Sequence, residues 1–300
     1  MKHSLKDWFV ATRYWSFAVS TMPVVACFTY LFSKGLVPAG AKSLVVLAMS
    51  LLGVMVLHAA GNVLSDWADY RKGVDNENAY AVPNLVFKHF LPEEYLRFSI
   101  LLFVIGAALG IGVVALSGVK VLLVGVVGVV LTMLYSFFKF HALGDLDIFI
   151  IFGVLTVLGT TTCAITGDFV PEALVLSLPI GVITVSVLHA NNTVDIPTDG
   201  AAGIKTFAML IGAKASSVLY RIYMVIPFVC IIASVAAGWL HPLALLSLVA
   251  AVPAMKNFKK AGLYDKDGLE AMKGLDQASA QLQLAFSGPL SVGLLIAGLI

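Results

Sequence analysis

Two stretches rich in Asn and Asp contain the side chains of this chain that are best suited to chemistry. In the first, GNVLSDWADYRKGVD (61–75), the residues Asn62, Asp66 and Asp69 are spaced i, i+4, i+7. If one helix continues through them, their side chains share a face of that helix. Carboxylates stacked in this way repel each other unless a cation lies between them. The spacing therefore indicates a cation site, with Asp75 following after a glycine.

The second stretch, HANNTVDIPTDGAAGIKT (189–206), repeats this pattern. Asn191, Asp195 and Asp199 are spaced i, i+4, i+8, and Pro197 is predicted to loosen or bend the helix between the last two. Amide and carboxylate oxygens again gather on one side of the chain.

Oxygen ligands without His or Cys suit Mg²⁺, which is usually held by one or two carboxylates together with waters and substrate phosphates. Two such clusters facing each other would hold a diphosphate through bridging magnesium ions. Either cluster alone could be a solvated loop, but acids beside apolar segments are costly without a role, and these two match in spacing. We therefore predict six metal ligands: Asn62, Asp66, Asp69, Asn191, Asp195 and Asp199.

Cationic side chains near both clusters are candidates for binding the phosphates. Lys205 is the first choice, because it follows Asp199 closely and would act as a point charge on a phosphate oxygen. Each of these cations could instead be a residue that only contacts lipid headgroups. The predicted diphosphate ligands are Arg71, Lys72, Lys88, Lys139 and Lys205.

The composition identifies the elements that must position these residues. The chain has 300 residues, of which 60% are hydrophobic and 12% charged, and its mean hydropathy is +0.97. These values are typical of a polytopic membrane protein, in which about 20 apolar residues form each spanning helix. We predict an all-α protein with about nine transmembrane helices, at 15–33, 43–63, 95–116, 119–137, 146–166, 171–192, 216–237, 240–255 and 280–299.

The distribution of basic residues predicts the orientation of these spans. Sixteen of the 19 Lys and Arg residues fall in the N-terminal tail and the even-to-odd connections or at their edges, and the other three are Lys34, Lys42 and Lys120. The positive-inside rule then places the N-terminus and both Asp-rich stretches on the cytoplasmic side.

The motifs resemble those of the UbiA-type intramembrane prenyltransferases, above all the branch that makes menaquinone and related vitamin K quinones. The resemblance lies in the two Asp-rich motifs and in their order, separated by four apolar spans. Weaker matches are RYWSFAVSTMPV (13–24), NLVFKHFLPEEYLRFS (84–99) and LYSFFKFHALGDLDIFIIFG (134–153). The similarity covers most of the chain, so residues 1–300 are expected to form one domain, with its Asp-rich motifs at 62–75 and 191–199.

The resemblance implies a helical bundle around a central cavity, in which a polyprenyl diphosphate is bound through Mg²⁺ and transferred to an aromatic acceptor. The acceptor expected from that branch is 1,4-dihydroxy-2-naphthoate. Catalytic roles are expected for three residues. Asp69 is a motif carboxylate that would take a proton from the acceptor, and Asp75 would orient a loop or assist the acceptor. Tyr135 would stabilise the allyl cation with its ring or hydrogen-bond the diphosphate. Val194 and Gly200 depart from the branch, which commonly has Arg at both positions.

Other functions remain open from the sequence. A family member could use 4-hydroxybenzoate, homogentisate or a non-aromatic acceptor, and acids near a broken helix also occur in ion-coupled secondary transporters. The expected partners are the polyprenyl diphosphate, the small aromatic acceptor and the lipid bilayer, with no nucleic acid and no obligatory protein partner. The expected location is the inner membrane of a bacterial or archaeal cell. His58 and His189, which precede the two clusters, are interpreted as structural.

Overall fold

The computed structural model describes residues 3–77, 84–87 and 89–300, and these residues fold as an all-α protein. The α-helices follow one another in the order α1 (Leu5–Ala11), α2 (Ala18–Ser33), α3 (Ala41–Lys72), α4 (Pro92–Ser117), α5 (Lys120–Phe140), α6 (Gly144–Ile148), α7 (Ala164–Thr166), α8 (Ser177–Val194), α9 (Ile196–Ala201), α10 (Phe207–Ile211), α11 (Ala213–Tyr223), α12 (Ile226–Ala236), α13 (Ala251–Ala261), α14 (Tyr264–Asp267) and α15 (Leu275–Ala297).

Tighter and wider helical turns extend several of these helices. A π-helical segment, Phe149–Cys163, joins α6 to α7 and makes one long element. The 3₁₀ segments are Tyr14–Ser16, Pro171–Leu176, Pro242–Ala250 and Gly268–Ala271. Within the described residues, the extended structure is an isolated parallel bridge between His141 and Lys205.

Eight helices of the described residues are long and apolar enough to cross a membrane, which confirms the predicted architecture. The difference from the nine expected spans lies at 240–255. That segment is split between Pro242–Ala250 and α13, and α13 carries Lys256, Lys259 and Lys260 at its end. The charge on α13 removes this element from the set of apolar spanning helices.

Helix α3 explains how the first motif is displayed. Its 32 residues correspond to about 48 Å, whereas the hydrocarbon core of a bilayer is about 30 Å thick. The helix therefore continues beyond the predicted end of its span and carries the first motif. It stops at Gly73, whose φ of 76° suits a residue without a side chain, and the Val74 amide then bonds the Asp69 carbonyl at 2.9 Å.

The second motif lies on a helix that is interrupted where Pro197 predicted it. Helix α8 ends at Val194, Asp195 forms the junction, and α9 begins at Ile196, directly before the proline. Proline has no amide hydrogen to continue the ladder of helical bonds. The Asp199 amide bonds the Asp195 carbonyl at 2.8 Å, so the two acids stay one turn apart across the junction.

Packing of long helices brings the two motifs to one cavity. Helix α15 packs against α2 and α8, α3 packs against α4 and α5, and the π-helical segment packs against α2, α5 and α8. At Gly61 the approach of α3 to α5 is so close that a side chain would collide with Thr132. Helices α2, α3, α5 and α8 therefore surround a common space.

Candidate active site

A cavity of about 630 Å³ lies between these helices, within the size range of sites for small molecules. One part of its wall is polar and contains residues of both Asp-rich motifs. The apolar part includes Val19, Ile151, Phe152, Val187 and Leu188. The cavity thus presents both charged and apolar side chains to a bound ligand.

Four side chains of the first motif line the cavity: Asn62, Asp66, Asp69 and Asp75. The Asn62 amide donates to the Thr12 carbonyl at 2.9 Å, which leaves its oxygen available to a ligand. The turn at Gly73 returns Asp75 to the same wall as Asp69. The spacing of the motif therefore places its side chains on one face, as predicted.

Asp66 forms an ion pair with Arg13, which also lines the cavity. Arg13 lies directly before the first spanning helix and has φ 53° and ψ 47°, a left-handed conformation that is unusual for a residue with a side chain. Such strain persists where the surrounding structure imposes it, and it is concentrated at functional sites. Arg13 was not among the predicted site residues, although the RYWSF segment begins with it.

Asp69 and Lys139 form a buried ion pair. The distance from Lys139 Nζ to Asp69 Oδ2 is 2.9 Å, and the two residues are 7% and 4% exposed. Lys139 lies near the end of α5, one turn after Tyr135, and both line the cavity. Two predicted site residues, Lys139 and Tyr135, therefore lie beside the first motif.

The second motif is divided between the lining and the wall behind it. Asn191 and Asp195 line the cavity, and the Asn191 amide donates to Asp195 Oδ2 at 2.9 Å. Asp199 is only 1% exposed and lies outside the lining, and neither of its carboxylate oxygens has a hydrogen-bond partner among the described residues. A buried carboxylate without donors is an expensive feature, which suggests a functional reason for it.

The charges of the two motifs act on each other. Burial raises the pKa of Asp199 to about 7, the Lys139 ammonium opposes this rise, and the carboxylates of Asp195 and Asp69 increase it. Burial also raises the pKa of Asp75 to about 7, and Asp69 and Asp66 add to the effect. The influence of Asp69 on Asp199 shows that the motifs share one electrostatic field.

Replacing Asp199 with Asn is expected to make the metal-free protein more stable at alkaline pH. Because the pKa of Asp199 is raised on folding, the folded state binds more protons than the unfolded state between the two pKa values, 3.8 and about 7. The contribution of Asp199 to the free energy of unfolding is therefore most favourable below that window and falls as the pH rises through it. Thermal unfolding in detergent checks this: the melting temperature should fall less between about pH 5 and pH 8 for the variant than for the native chain.

Asp265→Asn is the matched control, because Asp265 is exposed and pairs with Lys214 on the surface. It should leave the difference in melting temperature between the two pH values unchanged. An equal decrease for Asp199→Asn and the native chain would show that Asp199 is not the group responsible.

The other predicted cations are not brought to the cavity. The side chains of Arg71, Lys72 and Lys205 are exposed and are absent from its lining, and Arg71 lies over the Trp67 ring instead. The backbone of Lys205 bonds the connection after α5, with its carbonyl accepting from the Ala142 amide at 2.7 Å. Because all three side chains are exposed and outside the lining, the structure gives no support to them as phosphate ligands. Lys88 lies outside the described residues.

Two further lining residues were missed by the sequence analysis or given another role. Asn84 reaches the cavity and donates to the Tyr95 hydroxyl at 3.0 Å. His58, interpreted as structural, also lines the cavity, whereas His189 is fully buried and contacts Asp145 Oδ2 through Nδ1 at 2.7 Å. The i, i−4 relation between Asn62 and His58 was the available signal, because it places both on one face of α3.

The oxygen atoms of the site fit a magnesium ion that is shared with a diphosphate. Asp69 Oδ1 and both oxygens of Asp199 are buried without hydrogen-bond partners in the described part of the chain. In the same residues, no three His, Cys, Asp or Glu side chains converge into a complete metal cage. Magnesium does not require one, because it commonly takes one or two carboxylates and completes its shell with waters and phosphate oxygens.

Comparison of the sequence with protein families finds a match to the UbiA prenyltransferase family over residues 21–273. "UbiA prenyltransferase domain-containing protein 1" of Gallus gallus is 32% identical over 235 residues, covering 75% of this chain and 68% of that protein. The Homo sapiens protein is 32% identical over 226 residues, covering 73% and 65%. The chain thus spans about two thirds of the length of these curated relatives.

Solved structures share the fold at lower sequence identity. The apo structure of a UbiA homolog from Aeropyrum pernix K1 has a TM-score of 0.70 and 19% identity, covering 95% of this chain and 98% of that one. A UbiA homolog from Archaeoglobus fulgidus, bound to GPP and Mg²⁺, has a TM-score of 0.64 and 14% identity, covering 95% and 99%.

Proposed function

This chain belongs to the UbiA prenyltransferase family, and from that premise we propose that it transfers a polyprenyl group from its diphosphate to an aromatic acceptor with the help of Mg²⁺. The observation that carries the proposal is the single cavity shared by both Asp-rich motifs, two cations and an apolar wall. The solved homolog that binds GPP and Mg²⁺ has the same fold. We take residues 1–300 as one transferase domain.

The proposed metal ligands are the oxygens of Asn62, Asp66 and Asp69 on one wall and of Asn191, Asp195 and Asp199 on the other. When bound, magnesium would neutralise the charge that develops on the leaving diphosphate. Asp199 would have to move toward the lining, and its two unpartnered oxygens leave it without hydrogen bonds to break. Asp66 and Asp69 already have cationic partners, so binding must exchange these partners for the metal.

Arg13 and Lys139 are the proposed phosphate-binding cations. Both line the cavity, and both are held beside first-motif carboxylates. With Asp66 and Asp69 holding Mg²⁺, the guanidinium and ammonium groups would be available as donors to phosphate oxygens. Arg13 thus supplies a charge that the departures at Val194 and Gly200 remove from the second motif.

The apolar wall would hold the prenyl chain and keep water from the allylic carbon. Ile151 and Phe152 lie on the π-helical segment, while Val187 and Leu188 lie on α8, one turn before the second motif. Charges act more strongly in such a dry site, and the allyl cation is protected from hydrolysis. Tyr135 would face this cation with its ring.

Among possible acceptors we propose 1,4-dihydroxy-2-naphthoate, as expected for the menaquinone branch that the motifs resemble. The support is the sequence of the two Asp-rich motifs. Acceptors such as 4-hydroxybenzoate, homogentisate or a non-aromatic compound are the alternatives that the experiment below separates. We also propose that the enzyme lies in the inner membrane of a bacterial or archaeal cell. The distribution of Lys and Arg supports the proposed orientation, with the N-terminus and both motifs in the cytoplasm.

Detergent-purified protein incubated with geranylgeranyl diphosphate, Mg²⁺ and a panel of aromatic acceptors is expected to form a prenylated product. Chelation with EDTA should lower product formation by more than about 100-fold, because leaving-group stabilisation by metal is worth several kcal/mol, and added Mg²⁺ should restore it. Mass spectrometry identifies the acceptor used. Absence of diphosphate release with every acceptor would contradict the proposed function.

A further inference from the structure

His58 is a titratable side chain inside the cavity to which the chemistry above gives no role. It lies on α3, four residues before Asn62, and is partly exposed to the cavity. That spacing places it one turn, about 6 Å along the helix, deeper than Asn62 and about 12 Å deeper than Asp66. His58 is therefore on the wall used by the first motif but away from the diphosphate end.

The hydrogen bonds around His58 determine where its proton resides. Nδ1 is 3.0 Å from Ser20 Oγ, whose own hydrogen is donated to the Phe17 carbonyl at 3.1 Å. A hydroxyl has one hydrogen, so Ser20 can only accept from the imidazole. Nδ1 therefore carries the hydrogen of the neutral ring.

The second ring nitrogen is left with a free lone pair. Nε2 is 3.4 Å from Ser16 Oγ, which donates its hydrogen to the Arg13 carbonyl at 2.8 Å and also lies 3.4 Å from the Asn62 amide. Ser16 has no further hydrogen to offer to Nε2. An unprotonated Nε2 at a cavity wall, with Nδ1–H anchored behind it, is the arrangement of a general base.

The rings beside His58 suit a flat ligand. The Phe152 ring centroid lies 5.1 Å from the imidazole and the Phe17 centroid 5.8 Å away, both in tilted orientations. Aromatic side chains prefer such offset or tilted contacts with other rings. His189 also has neighbouring rings, but it is fully buried, lies outside the cavity lining and pairs with Asp145, so it stays a structural residue.

We propose that His58 Nε2 is the base that takes the ring-hydroxyl proton of a phenolic acceptor; the proposal rests on the proposed function and assigns its acceptor class. The O–H proton joins Nε2, and its electron pair moves into the ring. The C1–O bond of the prenyl diphosphate breaks, its electron pair leaving with diphosphate, and the neighbouring ring carbon then bonds C1 of the allyl cation. That carbon then gives its proton to the released diphosphate, or loses carbon dioxide where it carries a carboxylate, and the imidazolium returns its proton to the ring oxygen.

The test compares His58→Gln with the native enzyme on phenolic acceptors whose hydroxyl acidity differs. Gln keeps a hydrogen-bonding side chain but cannot take a proton, so we expect kcat to fall about 100-fold with a weakly acidic hydroxyl. The loss should shrink toward a few fold with an acceptor that is already ionised. KM for the prenyl diphosphate should stay within about twofold, because His58 lies away from the diphosphate end.

His241→Gln is the matched control, since His241 is exposed and lies outside this cavity, where it caps the segment that begins at Pro242. It should retain native kcat with every acceptor. His58→Ala provides a second measurement, in which added imidazole should restore part of the lost rate with the weakly acidic acceptor.

Two results would overturn the proposal. One is an equal loss for His58→Gln across all acceptors, which would indicate a packing role, and the other is the absence of imidazole rescue in a folded His58→Ala protein that still binds prenyl diphosphate. Failure of the proposed function gives a different pattern, because the native protein itself would then release no diphosphate with any acceptor.

Discussion

Asp66→Asn and Asp195→Asn are each expected to lower prenyl transfer by about 1,000-fold or more. Both side chains line the cavity, one on each wall, and both variants keep the shape of the residue while removing its negative charge. If metal neutralisation of the leaving group is worth about 4 kcal/mol and depends on these carboxylates, its loss corresponds to about three orders of magnitude in rate. Single-turnover formation of the prenylated product, measured across a range of Mg²⁺ concentrations, provides the comparison.

The control for this pair is Asp168→Asn. Asp168 pairs with Lys120 at an exposed position and takes no part in the cavity lining. It should leave the rate and its dependence on Mg²⁺ unchanged. Full activity of Asp66→Asn and Asp195→Asn would contradict the assignment of the two motifs and would indicate a purely structural role for them.

Lys139→Met is expected to cause the other large effect, on stability and activity together. Removing the ammonium leaves Asp69 buried without its ion-pair partner, and breaking a buried pair from one side typically costs about 3–5 kcal/mol. The variant also loses a cation that the proposed chemistry places on the diphosphate. Thermal unfolding in detergent should therefore show a strongly lowered melting temperature, and product formation should be nearly abolished.

The double variant Lys139→Met with Asp69→Asn separates these two effects. It removes both charges, so most of the stability should return, because a buried pair replaced by neutral groups is often nearly neutral in free energy. Activity should not return, because both the cation and a proposed metal ligand are missing. Lys205→Gln serves as the control lysine, and its exposed side chain should make its effect on KM for the prenyl diphosphate far smaller.

A double variant that recovers activity would show that the ion pair is needed only for folding. Equal effects of Lys139→Met and Lys205→Gln on KM would show instead that burial in the cavity does not select the phosphate-binding cation. Either result would remove Lys139 from the proposed chemistry.

Much of the architecture follows from local patterns in the chain. Long apolar runs must become helices in a bilayer, because backbone polar groups there have to bond within their own segment. The i, i+4, i+7 spacing of Asn62, Asp66 and Asp69 is a property of any helix, so their common face was predictable. Pro197 acts on the backbone of its immediate neighbours, which is why the interruption after α8 was predicted, whereas the predicted second span ended at residue 63 and α3 continues to Lys72 before Gly73.

The identity of the cations beside the acids could not be derived in this way. Arg71, Lys72 and Lys205 are close to the motifs along the chain but point outward, whereas Arg13 and Lys139 come from 53 and 70 residues away. The helix packing that brings them in depends on the approach of α3 to α5 and on the strained turn at Arg13. Sequence spacing contains no measure of these distances.

The amino-acid sequence alone thus specified the spans, the order of the motifs and the helix faces that carry oxygen ligands. The spans and the faces depend only on neighbours within a few helical turns, and the order of the motifs is read directly from the chain. Packing of distant helices decided which charges pair, which acid is buried and which face of His58 is open to a ligand. Those outcomes arise from contacts between segments far apart in the chain, where small differences in helix position determine whether two atoms bond.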